Sequence, residues 1–183
     1  MNKHIKTAVL LTAIALSSSS AFAADGQVKF TGKILDAACT VDGATDGAIT
    51  VTMGEVSKTS LAAAGDTTDA TKFHIKLSAC PDALTTASIK FDGTAMGGDD
   101  SILALTAGTV DDPSAEQVGI QITDSAGAVV PLYTASTAIP ATAGGTADTG
   151  TFDLPFTARY ISTGAAVKAG VADAAANFTV VYN

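Results

Sequence analysis

The parity of its large apolar residues constrains this chain more than any other feature. Phe152, Leu154, Phe156, Ala158 and Tyr160 fall on alternate positions. A period of two marks a strand buried on one face and excludes an amphipathic helix, whose apolar positions recur every three or four residues. Shorter groups repeat the pattern: Val28, Phe30, Gly32 and Ile34; Phe73, Ile75 and Leu77; Phe178, Val180 and Tyr182. Further strands are expected at 38–41, 49–53, 88–92, 102–105 and 118–123, and the turn at 124–127 predicts a hairpin partner at 128–133. The Asp- and Gly-rich stretch 42–47 reads as a turn, 61–66 as one helical turn, and 135–149 as a loop. Pro155 predicts an edge or a bulge inside its strand. Short strands without intervening helices make an all-β antiparallel sandwich of one domain.

After the alternating group at 178–182 no turn or further strand follows. The expectation is a sheet left with an unpaired apolar edge. Natural proteins blunt or cover such edges because they template pairing with another chain, so this one is expected to be completed by a partner.

The opposite end predicts a secretory signal peptide over 1–23. Lys3 and Lys6 are basic, positions 8–16 are mostly apolar, and Ala21-Phe22-Ala23 supplies the small-x-small cleavage pattern. The apolar run is too short for a transmembrane helix, which needs about 20 residues, and no membrane insertion is expected. Cleavage removes two of ten Lys and Arg and none of 18 Asp and Glu, leaving 8 − 18 = −10. Such an acidic chain is a poor nucleic-acid binder. Cys39 and Cys80 are the two cysteines, and in an oxidising compartment an even pair is most simply a structural disulfide.

Catalytic and metal-binding constellations are missing. His74 alternates with Phe73 and Ile75, so it reads as an exposed strand residue rather than a general base, and beyond residue 23 no second histidine accompanies it. Asp99-Asp100 and Asp111-Asp112 read as solvated acidic loops rather than a calcium site. The stretch from Asp42 resembles a calcium loop whose twelfth position would be Met53, not glutamate. No glycine-rich phosphate loop is present. No catalytic residue, metal or cofactor is expected.

Three segments carry a family resemblance: the residues from Val28 through Gly32 to Cys39 and Val41, then Leu154-Pro155-Phe156-Thr157-Ala158-Arg159-Tyr160, then Phe178-Thr179-Val180-Val181-Tyr182-Asn183. In order, cysteine spacing and ends, the chain resembles the major structural pilins of chaperone-usher fimbriae, the type 1 rod subunit family. A penultimate tyrosine and a glycine fourteenth from the C-terminus are part of that pattern, here Tyr182 and Gly170.

The resemblance implies an incomplete immunoglobulin-like sandwich lacking its last strand, completed by a donor strand from a chaperone or a neighbouring subunit. It implies an N-terminal extension over 24–36, with Val28, Phe30, Gly32 and Ile34 as donor residues, ahead of a pilin domain over 37–183. Gly170, Phe178, Val180, Tyr182 and Asn183 would form the groove-edge strand met by the chaperone. The implied partners are a periplasmic chaperone, an outer-membrane usher and further copies of the chain. The implied destination, reached through the periplasm, is a cell-surface fimbria that serves adhesion. The competing reading is a secreted or fimbria-tip carbohydrate-binding module, with Tyr133 and Tyr160 as its stacking candidates; the absence of tryptophan weakens it.

Overall fold

Among the described residues, 26–32, 34, 38–142 and 150–182, the computed structural model contains nine strands and one short 3-10 helix. The expected leader and Asn183 lie outside the described residues. The chain divides after Ile34, and both sheets belong to the second unit, 35–183.

The strands are β1 (Thr40–Asp42), β2 (Thr71–Cys80), β3 (Thr86–Asp92), β4 (Ala95–Met96), β5 (Asp99–Ala104), β6 (Val118–Asp124), β7 (Ile139–Pro140), β8 (Gly150–Ser162) and β9 (Asn177–Tyr182). Six form one antiparallel sheet in the order β1-β2-β8-β6-β5-β4, and β7-β3-β9 form the second. Parity decides what faces inward. Along β8, Phe152, Leu154, Phe156, Ala158 and Tyr160 are buried, and Ile75 and Leu77 of β2 join them. Phe156 stacks on Phe73 of its own sheet at 5.6 Å and meets Phe91 of the opposite sheet edge-on at 5.3 Å. Such aromatic pairs add about 0.5–1.5 kcal/mol beyond the area they bury.

Several sequence expectations are corrected. Pro155 marks neither an edge nor a bulge: β8 lies between β2 and β6. The β6 ladder ends at Asp124 opposite Phe156, so on that side Pro155 has no partner to deny an N–H. The helical turn forms at Lys58–Leu61 instead of 61–66, because the Ser57 side chain caps it by accepting from the Thr59 N–H. The hairpin partner at 128–133 shrinks to a bridge between Thr123 and Val129 and a bond from the Val130 N–H to the Ile122 carbonyl. Pro131 has no N–H to continue a ladder, and the chain then crosses over, with the Leu132 and Tyr133 N–H groups donating to Asp100 and Phe91. The loop expected at 135–149 contains β7. The hairpin β4–β5 was hidden by its brevity, and it turns through Gly97 and Gly98 at φ +62° and +86°.

Two expected strands have no ladder. Residues 26–32 and 34 are in no strand, and in the run 49–53 Ile49, Val51 and Met53 are half-buried while Thr50 and Thr52 are exposed. The side chains of that run keep strand periodicity, but among the described residues its backbone makes no ladder or other backbone–backbone bond.

Candidate functional site

The unpaired backbone of 49–53 forms one wall of a groove of about 1000 Å³ opening between the sheets. Its opposite wall is the last strand. β9 pairs with β3 along one edge, from Asn177 opposite Asp92 to Tyr182 opposite Ala87, and it is the terminal strand of its sheet. Phe178 and Val180 point into the groove. The floor is apolar: Phe73 and Ile75 from β2, Ile120 and Ile122 from β6, Ala158 and Tyr160 from β8. Among the described residues the backbone of 49–53 and the outer edge of β9 thus carry no ladder partner beside the apolar floor. In general an extended chain adds to an open sheet edge through main-chain bonds, with pockets for its alternate side chains.

The even parity of the last strand starts earlier than its ladder. Ala172, Ala174 and Ala176 are half-buried, as are Phe178, Val180 and Tyr182, with Asp173, Ala175, Asn177 and Thr179 exposed between them. The sequence shows this alternation, but alanine is too small to stand out, and 164–175 reads there as a plain connection. The wall at 49–53 is expected from its periodicity as a strand, without a site role. The positions 172–176 and the floor residues are the functional positions that pattern reading missed.

A disulfide braces the first two strands. Cys39 and Cys80 form the expected disulfide, which fixes the start of β1 to the end of β2, and the Cys39 N–H donates to the Tyr182 hydroxyl at 3.3 Å. Burial pushes the Tyr182 hydroxyl pKa up, and the bond from Cys39 pulls it partly back. Gly170 departs from its expected place. It lies outside β9 and does not line the groove. Its Cα packs against the backbone of Pro113, Ser114 and Ala115, where a Cβ would overlap, so glycine is required there by close approach. Val28, Phe30 and Ile34 are 76%, 90% and 96% exposed, and a Cβ on Gly32 would meet nothing within 4 Å. Asn183 lies outside the described residues.

The candidates for other chemistry have ordinary roles. His74 is exposed on β2 and pairs through Nδ1 with Asp153 at 2.6 Å. Asp99 accepts from the N–H and hydroxyl of Ser101, which holds its carboxyl below the usual range. No group of three or more metal-ligating side chains occurs among the described residues. Tyr160 is buried in the groove floor with its hydroxyl on the Ala172 carbonyl, and the Tyr133 hydroxyl donates to the Gly93 carbonyl. Among the described residues no helix is long and apolar enough to cross a membrane.

The described residues form an antiparallel sandwich with an apolar-floored groove beside the last strand, a fold shared with a pilus subunit of known structure. Residues 28–183 match the family described as Fimbrial protein. The type-1 fimbrial protein A chain of Escherichia coli K12 is 40% identical over 182 residues, covering 95% of each chain. A subunit from a chaperone-usher pilus structure on the basis of rod uncoiling is 25% identical with a TM-score of 0.61, covering 87% of this chain and 96% of that one. The CupB6 tip adhesin of Pseudomonas aeruginosa is 30% identical with a TM-score of 0.58; the match covers 78% of this chain and 37% of that longer one. The chain belongs to the fimbrial protein family. It is a structural, non-enzymatic subunit of a chaperone-usher fimbria, with an immunoglobulin-like fold, and subunits of this kind polymerise into extracellular fibres.

Proposed function

We propose that the groove is filled by a strand from another chain. A periplasmic chaperone lends it first, and at an outer-membrane usher residues 24–36 of the next copy replace it. On this reading 1–23 is a cleaved leader that sends the chain to the periplasm, and 37–183 is the domain that carries the groove. Cys39 and Cys80 brace the first strands, while Phe178 and Val180, with Tyr182 further along the same strand, face first the chaperone strand and then the donor. The observation that carries the proposal is the pair of facing unpaired edges, 49–53 and β9, over an apolar floor. The donor side supports it: Val28, Phe30 and Ile34 are exposed on one parity. Burying them would contribute about 5–9 kcal/mol before ordering costs, at roughly 1.5–3 kcal/mol each. Head-to-tail insertion is a heterologous contact that does not close, so it generates a filament.

Gly32→Arg tests the donor role. A Cβ added at Gly32 would meet nothing within 4 Å, so the variant should fold and oxidise normally. An arginine cannot enter an apolar trough unpaired, and electron microscopy should show no fibres. Fibres of normal length and number from this variant would overturn the donor assignment.

A further inference from the structure

The groove wall before β9, residues 172–176, is held differently from the strand that continues it. Alanines contribute little burial energy, and among the described residues no ladder runs along this stretch. Separate hydrogen bonds fix it instead. The Tyr160 hydroxyl donates to the Ala172 carbonyl at 3.1 Å, and the Thr106 N–H donates to the Asp173 carbonyl at 2.7 Å. Just upstream, the Val171 N–H donates to Pro113 at 2.9 Å and the Ala115 N–H to Val171 at 2.8 Å. Gly170 permits that close approach.

We infer that Tyr160 is a positioning residue of the acceptor groove, a strut whose ring lies in the floor and whose hydroxyl sets the distance to the wall at Ala172. The inference rests on the donor-strand reading above. An added strand bonds to its neighbours only if their edges stand at a fixed spacing, because hydrogen bonds weaken quickly beyond about 3.2 Å. Packing fixes that spacing along Phe178 and Val180. At 172–176 the side chains are too small to do so, and the Tyr160 hydroxyl supplies the constraint from below.

Tyr160→Phe removes the hydroxyl and keeps the ring. Thr157→Val is the control: it removes a bond of similar kind, between the Thr157 and Thr123 hydroxyls at 2.6 Å, from the opposite face of the same strand. The probe is a fluorescent peptide with the sequence of residues 24–36, added to the refolded, disulfide-bonded full chain at nanomolar concentration, with capture followed by anisotropy. Tyr160→Phe should weaken capture about five- to tenfold, the equivalent of one lost hydrogen bond, and should speed amide exchange at Thr106. Thr157→Val should stay within about twofold of the parent, because outer-face bonds do not set groove width. Equal capture by Tyr160→Phe and the parent, or an equal loss in Thr157→Val, would overturn the strut. If the unsubstituted chain captures no peptide, the donor-strand reading fails and the strut with it.

Discussion

The backbone N–H of Cys39 donates to the hydroxyl of Tyr182 at 3.3 Å, across 143 residues of sequence. Cys39 is itself bonded to Cys80, so Cys39 ties the start of β1 both to the end of β2 and to the end of β9. Tyr182→Phe keeps the ring and loses the bond. It should cost about 0.5–1.5 kcal/mol, read as a lower midpoint in urea at an unchanged slope. An unchanged midpoint would show that the hydroxyl contributes nothing there.

Removing the disulfide loosens the same corner more severely. The bond closes a separation of 41 residues, which in the chain-entropy model is worth about 4 kcal/mol. A Cys39→Ser, Cys80→Ser double variant should therefore unfold at much lower denaturant than the oxidised parent, and Tyr182→Phe should then cost less, because its partner is no longer held. Full additivity of the two effects would separate Tyr182 from the disulfide.

Of these two contacts only the disulfide was legible in the sequence, as an even pair of cysteines. The strands carrying large apolar residues were readable because Phe, Leu and Ile make parity conspicuous, as along β8. The alanines at 172–176 carry the same parity without contrast, and 49–53 looked like an ordinary strand because periodicity records which face is buried and says nothing of whether the backbone is paired. Pro155 misled because its cost depends on where the β6 ladder stops, a matter of register between distant segments. Gly170 was recognised as a position yet placed in the wrong element, since its need for glycine comes from the Pro113 backbone, far away in sequence.

Alkali should weaken the domain through Tyr160 and Tyr182. Burial, and then the charge of Asp173, push the Tyr160 hydroxyl pKa up; burial does the same at Tyr182. A raised folded-state pKa means that the folded chain holds its protons more tightly, so this stability is complete below the unfolded value of about 10 and is lost as pH climbs through the higher folded values. Melting temperatures measured from about pH 9 to 11 should fall more steeply for the parent than for a Tyr160→Phe, Tyr182→Phe double variant. Parallel curves would refute the linkage.

Acid acts on Asp124. Its buried carboxylate accepts from Thr137 Oγ1 at 2.6 Å and from the N–H groups of Ala126 and Ala128 at 2.9 and 3.0 Å, closing the turn after β6. The bond from Thr137 leads in holding its pKa below the usual value. Its contribution is present above the unfolded pKa of about 3.9 and disappears as pH falls through the lower folded one. Asp124→Ala should cost about 1–3 kcal/mol near neutrality, and the difference from the parent should shrink below about pH 3. A difference that stays constant into acid would assign the cost to packing.

Hydrogen exchange distinguishes an open groove from a filled one. In the unassembled chain the amides of 49–53 have no backbone partner among the described residues, while those of β9 that face β3 are bonded. An unbonded, half-exposed amide exchanges with little protection, whereas a ladder amide waits for local or global opening. Assembly on the proposed scheme adds a strand between the two walls, so protection should rise within 49–53 and at β9 amides facing the groove, and scarcely change in β2 or β8. The comparison of isolated subunit with purified fibre reads this directly by mass spectrometry. Protection that rises over 49–53 alone would place the added strand on one wall only, and β9 would then keep its free edge in the fibre.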